Sequence, residues 1–341
     1  MKRIILVIAA LVSAAIISAE DLSLVTINAW PALDYSGFIS SGQYEPEEVR
    51  LFREEVLISG LKELNPDAAV INGLNPADSR AGEIAAELDM FYDSAVSRSG
   101  VRIGPVSLPI NLREGDAVLA DSRFSPEPAG RKLLGGGISN NTFTLFSRNS
   151  SQIICTKLNT SAGEIYVYSA VWRGSRFSDK ASLTALTDKY LDGEIPPEDY
   201  SRLIENAVSG TEERIAQAEE TLAFINSTAG KAPVILMGSL NALPGSKELM
   251  LLKEAGFTDV YEAVGRGKGY SWDSNVNSNI GKMGEDALSG KYRIDYILIR
   301  GGEMVPVSAE MVFDEPVYGV YASARFGIKA VVRLPESPSE Q

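Results

Sequence analysis

The hydrophobic pattern is clearest around one short apolar run followed by a polar loop. Residues 234–238 lie in the sequence PVILMGSLNALPGS and are apolar up to Gly238, which is typical of a buried strand. Asn241, Pro244 and Gly245 indicate a loop, and Ser246 is expected to cap the helix that begins KELMLLKEAG. A buried strand that leads into a polar loop and a helix is where α/β proteins place their chemistry.

The rest of the chain alternates between strand-like and helix-like patterns. Gly210 is expected to break the fourth helix, and residues 92–112 follow an irregular pattern of strands and loop. The pattern predicts a single domain over residues 20–334, a mixed two-sheet α/β sandwich with helices outside. Strands are predicted at 23–30, 67–72, 116–121, 142–148, 152–159, 164–172, 234–238, 292–300, 305–313 and 324–334, and helices at 45–64, 81–91, 178–191, 198–226 and 246–255.

The two ends of the chain carry different signals. Lys2 and Arg3 precede an uncharged apolar run over 4–17, and Ala19 ends a small-residue cleavage pattern. Residues 1–19 are therefore predicted to be a signal peptide, and the protein is expected to be exported, to the periplasm or the extracellular space. An uncleaved anchor is the alternative, although the run is shorter than the roughly 20 residues that span a bilayer. No integral membrane segment is expected after cleavage, and the tail 335–341 is predicted to be disordered.

Composition narrows the possible chemistry. Cleavage of the signal would remove two positive charges and take the net charge from −13 to −15, which makes nucleic acid a poor candidate partner. The single cysteine, Cys155, lies in an apolar run and is expected to be a packing residue. The sequence contains no histidine, so the usual general base and the commonest transition-metal ligand are missing.

Five blocks of sequence resemble the endonuclease/exonuclease/phosphatase family, which has the DNase I-like fold. They are VTINAWPALDYSG, LNPDAAVINGLN, YVYSAVWRGSR, VILMGSLNALPGS with the later YRIDYILI, and SARFGIKAVVRL. The resemblance covers almost the whole chain after the signal. It implies a four-layer α/β/β/α sandwich with two mixed or antiparallel sheets flanked by helices. It also implies descent from metal-dependent phosphodiesterases and phosphatases, which include secreted nucleases and sphingomyelinases.

The departures from the family pattern fall on its reactive positions. The resemblance places Gly73 where the family has its metal-binding glutamate, and Ser239 where it has an aspartate. Ala324 and Arg325 stand for its final Asp-His pair, and Val171 stands for its other histidine. The matching positions that are unchanged are Asn28, Asn241 and Asp295.

Those departures predict that the ancestral Mg²⁺ site is lost and that no cofactor replaces it. One carboxylate remains, and affinity for hard divalent ions follows the number of charged oxygen ligands. Arg325 can clamp a phosphate but cannot act as a base, because its guanidinium stays protonated. Asn28 and Asn241 have the alternative role of bonding loop backbone, and Asp295 that of pairing with Arg293 or a loop amide.

Three functions remain open from the sequence. The first is a non-catalytic binding or structural member of the family, with an unknown ligand or protein partner. The second is a weak or altered metal-dependent phosphodiesterase or phosphatase, nuclease- or sphingomyelinase-like, in which Arg325 holds a phosphate and Asp295, Asn28 and Asn241 hold water or a weakly bound metal. The third is a cleft that binds an uncharged or cationic ligand.

Overall fold

The computed structural model describes residues 20–34, 37, 39–103, 106–135, 151–267, 269–283 and 288–335, with the backbone alone over 101–103 and 106–108. The predicted signal peptide (1–19), the predicted strand at 142–148 and the tail beyond residue 335 lie outside these ranges. Export and tail disorder therefore stay predictions.

Strands account for more of the described chain than helices do. Those of its first half are β1 (Asp21–Asn28), β2 (Leu33–Asp34), β3 (Gly42–Gln43), β4 (Ala68–Leu74), β5 (Met90–Ile103), β6 (Val106–Asp121), β7 (Glu127–Gly135) and β8 (Ser151–Thr160). Those of its second half are β9 (Gly163–Val171), β10 (Val234–Ser239), β11 (Thr258–Asp259), β12 (Trp272–Asp273), β13 (Lys291–Tyr292), β14 (Asp295–Arg300), β15 (Val305–Val312) and β16 (Gly327–Arg333).

The described ranges contain seven α-helices. They are α1 (Glu47–Leu64), α2 (Ala77–Leu88), α3 (Lys180–Leu191), α4 (Pro197–Thr228), α5 (Lys247–Glu254), α6 (Val260–Val264) and α7 (Ser278–Gly281). None of the helices in the described ranges is long and apolar enough to cross a membrane.

The described residues form two large sheets of six strands each. Both sheets are mixed, as predicted. The first has the order β15-β16-β1-β4-β6-β5 and the second the order β11-β14-β10-β9-β8-β7. In the first sheet β1 is parallel to β4, and in the second β9 is parallel to β10, while the other pairs are antiparallel.

Three apolar clusters show how the layers stack. One cluster joins the inner faces of the two sheets and includes Leu24 of β1 and Ile235 of β10. A second packs the first sheet on α1 and α2, and a third packs the second sheet on α4 and α5 and contains the buried Cys155. The order of layers is therefore helix, sheet, sheet, helix, and the predicted four-layer sandwich is confirmed.

The structure corrects three of the predicted elements. Gly210 does not break α4, which is continuous over 32 residues. A Cβ at this position would lie 1.9 Å from Ser175 Oγ, so the glycine lets a neighbouring loop approach the helix. The helix predicted at 81–91 ends at Leu88, and the described residues of 92–112 lie in strands β5 and β6. Ser246 stands at the cap of α5, but its side chain makes no capping hydrogen bond.

Candidate functional site

Strand register brings most of the predicted site residues to one edge of the sandwich. Asn28, at the end of β1, lies beside Asn72 of β4. Ser239, at the end of β10, lies between Val171 of β9 and Asp295 at the start of β14. Because both parallel pairs end at this edge, the two sheets place their polar terminal residues together.

One chain of hydrogen bonds links the two sheets across the site. Asn28 Nδ2 donates to Ser239 Oγ at 3.2 Å, and Ser239 Oγ donates to Asp295 Oδ1 at 2.6 Å. Arg325 Nη1 donates to the same Asp295 oxygen at 3.0 Å, and Arg325 Nη2 donates to Asn241 Oδ1 at 2.7 Å. The three retained polar residues therefore lie in one bonded group with Ser239 and Arg325.

Arg325 and Asp295 form the charged centre of this group. The Asp295 side chain is 2% exposed and that of Arg325 is 14% exposed. Asp295 Oδ2 is buried and has no hydrogen-bond partner among the described residues. The alternative pairing of Asp295 with Arg293 is wrong, because Arg293 pairs at 2.6 Å with Asp259 of β11, the strand beside β14.

The amide side chains of Asn28 and Asn241 are also committed to backbone groups. Asn28 Oδ1 accepts from Trp30 N at 3.1 Å, and Asn241 Nδ2 donates to the Trp172 carbonyl at 2.7 Å. The other polar atom of each amide contacts the site group: Asn28 Nδ2 donates to Ser239, and Asn241 Oδ1 accepts from Arg325. Both roles considered from the sequence, loop bonding and site contact, therefore apply to each residue.

The remaining substituted positions present no ligand atoms. Gly73 has φ +68°, and a Cβ there would lie 3.0 Å from Asn28 Oδ1. Val171 is half-buried beside Ser239. Ala324 is buried in an apolar cluster with Trp30, Trp272 and others.

These residues do not fit the divalent ion that the family resemblance implies. Hard cations such as Mg²⁺ need several oxygen ligands, of which charged carboxylates contribute most of the affinity. Here the one carboxylate is bonded to a guanidinium, and both amide oxygens accept internal hydrogen bonds. In the part of the chain that the structure describes, no three His, Cys, Asp or Glu side chains are grouped to hold a metal ion.

A second buried carboxylate lies behind the site, between the two sheets. Asp116 of β6 accepts hydrogen bonds from Asn72 Nδ2 at 3.1 Å, Gly73 N at 3.2 Å and Gln152 Nε2 at 2.5 Å. Burial is the main cause that raises the pKa of Asp116 to about 6, and the three hydrogen bonds oppose that rise. Asn72 Oδ1 in turn accepts from Ser239 N at 3.1 Å, so this network is continuous with the site.

Several residues of the site were given no role from the sequence. Ser271 Oγ accepts from the backbone N–H groups of Ile294 and Asp295 and so fixes the start of β14. Ser323 Oγ donates to the Asn28 carbonyl and accepts from Arg325 N at 3.1 Å. The sequence carried one signal for the third of these residues, Asp116: it is a charged residue at the start of the apolar run DAVLAD.

Comparison with known proteins identifies similar structures but no similar sequences. No family model matches the chain, and no curated protein matches its sequence. An endonuclease/exonuclease/phosphatase from Bacteroides vulgatus is 13% identical with a TM-score of 0.59, and the match covers 93% of this chain and 100% of that one. A family protein from Bacteroides thetaiotaomicron is 11% identical with a TM-score of 0.59, covering 93% and 99%.

A third similar structure is D. rerio TDP2 complexed with a single strand DNA product. It is 15% identical with a TM-score of 0.56, and the match covers 92% of this chain and 98% of that one. At these identities the likeness defines the architecture only. The chain has the DNase I-like α/β/β/α fold of the endonuclease/exonuclease/phosphatase proteins.

Proposed function

We propose that this protein is an exported, non-catalytic member of the fold, a binding or structural protein rather than a hydrolase. The observation that carries the proposal is the Arg325–Asp295 ion pair at 3.0 Å. The pair puts the cation of an arginine against the one retained carboxylate of the site. The apolar run after Lys2 and Arg3 supports export.

The chemistry of phosphodiester hydrolysis supports this reading. The reaction needs positive charge on the non-bridging oxygens, a base for the attacking water and an acid or metal for the leaving oxygen. Arg325 supplies positive charge, but two of its five N–H donors are used on Asp295 and Asn241. The one retained carboxylate is bonded to this guanidinium rather than free to activate a water, and the chain has no histidine to replace it.

The altered-hydrolase alternative needs Arg325 and Asp295 to act separately. In that reading the guanidinium holds a phosphate while Asp295 holds water or a weakly bound metal with Asn28 and Asn241. The ion pair and the internal partners of both amides weigh against it.

Metal binding and hydrolysis test the proposal directly. We expect calorimetric titration of the wild type with Mg²⁺ and Mn²⁺ to give no heat attributable to binding at physiological concentrations. We expect hydrolysis of bis(4-nitrophenyl) phosphate to equal that of a Ser239→Ala/Asp295→Ala variant. Export is tested by N-terminal sequencing of the protein from its native cells, which should begin at Glu20.

The matched variant for this experiment is Ser239→Asp/Arg325→Ala. It removes the internal cation and places two carboxylates side by side on β10 and β14, so it should gain measurable divalent-ion binding. Wild-type turnover above the Ser239→Ala/Asp295→Ala variant would contradict the proposal, as would wild-type metal binding that Asp295→Asn abolishes.

A further inference from the structure

A groove leads away from the site between α4 and the loops that follow β9 and β12. Its inner chamber, of about 390 Å³, begins at Asn241 and Arg325. Its outer chamber, of about 980 Å³, continues along the start of α4. The two chambers share Arg176, Arg202 and Leu203, among others, so they form one continuous cavity, which we call the α4 groove.

The inner chamber has the composition of a small-molecule site. Ligand sites are typically concave, about 300–1,000 Å³, mainly apolar and equipped with a few fixed polar groups. The polar groups here include Arg176, Asn206 and Asn241. The apolar wall consists of Phe177, Leu203, Trp272, Met283, Leu288 and Ile294.

The loop that carries Arg176 and Phe177 is held rigidly against α4. Arg176 N donates to Asn206 Oδ1 at 3.2 Å, and Arg173 N donates to Gln217 Oε1 at 2.8 Å. Arg214, buried in an ion pair with Glu248, also donates to Ser175 Oγ. The groove wall is thus preorganised, which lowers the entropy cost of binding a ligand.

Charge is distributed unevenly along the α4 groove. Arg176, Arg202 and Arg325 line the inner chamber, where no described lining residue is acidic. Glu194 and Asp199 appear only in the outer chamber, together with Lys189. Arg202 is paired with Asp199 at 3.0 Å and Arg325 with Asp295 at 3.0 Å, but these pairs use only some of the five N–H donors of each guanidinium. A wall with three guanidinium groups favours a ligand that carries acceptor oxygens and negative charge at one end.

We propose that the α4 groove binds an amphiphilic organic anion: one carboxylate, sulfonate or phosphate-monoester head on an apolar body. The head lies among the arginines of the inner chamber, and the body lies on Phe177, Trp272 and Leu203. A nucleic acid strand fits less well, because its regularly repeated charges would meet Glu194 and Asp199 at the outer end. The inference rests on the proposed function in one respect, namely that the ligand is retained and not cleaved.

Fluorescence titration with 8-anilino-1-naphthalenesulfonate tests the proposal. We expect saturable binding of one probe per chain, and at least tenfold weaker binding of N-phenyl-1-naphthylamine, which has similar rings and no sulfonate. Decanoate should displace the bound probe, whereas decyltrimethylammonium, which has the same chain length and a positive head, should not.

Matched variants locate the site. Arg176→Gln should weaken the sulfonate probe about tenfold and leave the uncharged probe unchanged, while Leu203→Gln should weaken both. The control Arg123→Gln, which replaces an exposed arginine on another face, should change the binding of neither probe. Circular dichroism of each variant checks that it is folded.

Three outcomes would overturn the proposal. They are the absence of saturable binding, equal displacement by the cationic detergent, and displacement by oligothymidylate but not by decanoate. All of these measurements read binding alone. Hydrolysis of bis(4-nitrophenyl) phosphate by the wild type would therefore contradict the proposed function without contradicting ligand binding in the α4 groove. A failure to bind the probes would contradict ligand binding in the groove without contradicting the proposed function.

Discussion

Two buried carboxylates in this protein lie in one hydrogen-bond network and have partners of different charge. Asp295 is 1% exposed and has the guanidinium of Arg325 as its partner. Asp116 is 2% exposed and is bonded to two amides and a backbone N–H, all of them uncharged. The depth of burial is the same, so the difference between them is the charge of the partner.

That difference determines what each carboxylate depends on. A buried carboxylate with a cation beside it depends on that cation, because loss of the cation leaves a buried charge without its partner. A buried carboxylate with only neutral donors takes up a proton more readily, which is why the pKa of Asp116 rises to about 6. Asn72 contacts Asp116 and Ser239, so the two regions share a side chain.

Removal of the cation should have the largest effect on stability. In Arg325→Met the charge of Asp295 stays buried without its partner, and we expect the free energy of unfolding to fall by about 4 kcal/mol. Urea denaturation at pH 7 measures it.

The double variant Asp295→Asn/Arg325→Met is the control for packing. It removes both charges, so it should recover a large part of the loss and unfold at a higher urea concentration than Arg325→Met. If the double variant is as unstable as the single one, lost packing around Arg325 explains the effect and the ion pair does not.

The second expected effect is a pH dependence that belongs to Asp116. Its pKa in the folded protein, about 6, lies above its ordinary value of 3.8, so the folded state binds the proton more tightly than the unfolded state. The stability from this group is fully present below about pH 4 and is lost as pH rises through 6. At about 1.4 kcal/mol per pKa unit, the loss is up to about 3 kcal/mol.

Asp116→Asn isolates this contribution, because asparagine does not titrate and the stability lost by the substitution itself does not change with pH. The unfolding free energy of the wild type minus that of the variant should therefore fall by about 2 kcal/mol between pH 4 and 6.5, which is most of the full change. Asp78→Asn, an exposed carboxylate of α2, should leave the wild-type pH curve unchanged. A wild-type-minus-variant difference that is flat across this range would show that Asp116 does not titrate there.

Much of the fold was predictable because its signals are local. The apolar runs of β1, β4, β9 and β10 mark buried strands, and their order indicated the two sheets. The same blocks brought Asn28, Ser239, Asn241, Asp295 and Arg325 to one edge, as the resemblance implied. What the sequence could indicate was which residues gather at the site.

The sequence could not indicate which of them bond to one another. Arg293 is two residues from Asp295 and was one of the two partners considered, with a loop amide, yet it pairs with Asp259 of the neighbouring strand β11. Arg325 is 30 residues away, and only the tertiary fold joins the pair. Gly210 was interpreted as a helix breaker because its role is set by Ser175, a contact between distant segments.

The smallest expected effect compares two serines, one bonded to Asp295 and one bonded to Asn72, the amide that contacts Asp116. Ser239 Oγ donates to the charged Asp295 at 2.6 Å, whereas Ser169 Oγ accepts from the neutral amide of Asn72 at 2.9 Å. Hydrogen bonds to charged groups are worth more than those between neutral groups. We expect Ser239→Ala to lower the unfolding free energy by about 1.5 kcal/mol and Ser169→Ala by about 1 kcal/mol, measured by urea denaturation.

The background of Arg325→Met separates the charge from the position of the serine. Without the guanidinium, Asp295 relies more on Ser239, so Ser239→Ala should cost more in this background than in the wild type. Ser169→Ala touches neither charge and should cost the same in both. If the cost of Ser239→Ala is also unchanged, the serine and the arginine stabilise Asp295 independently. Their shared acceptor, Asp295 Oδ1, then does not couple their contributions to the unfolding free energy.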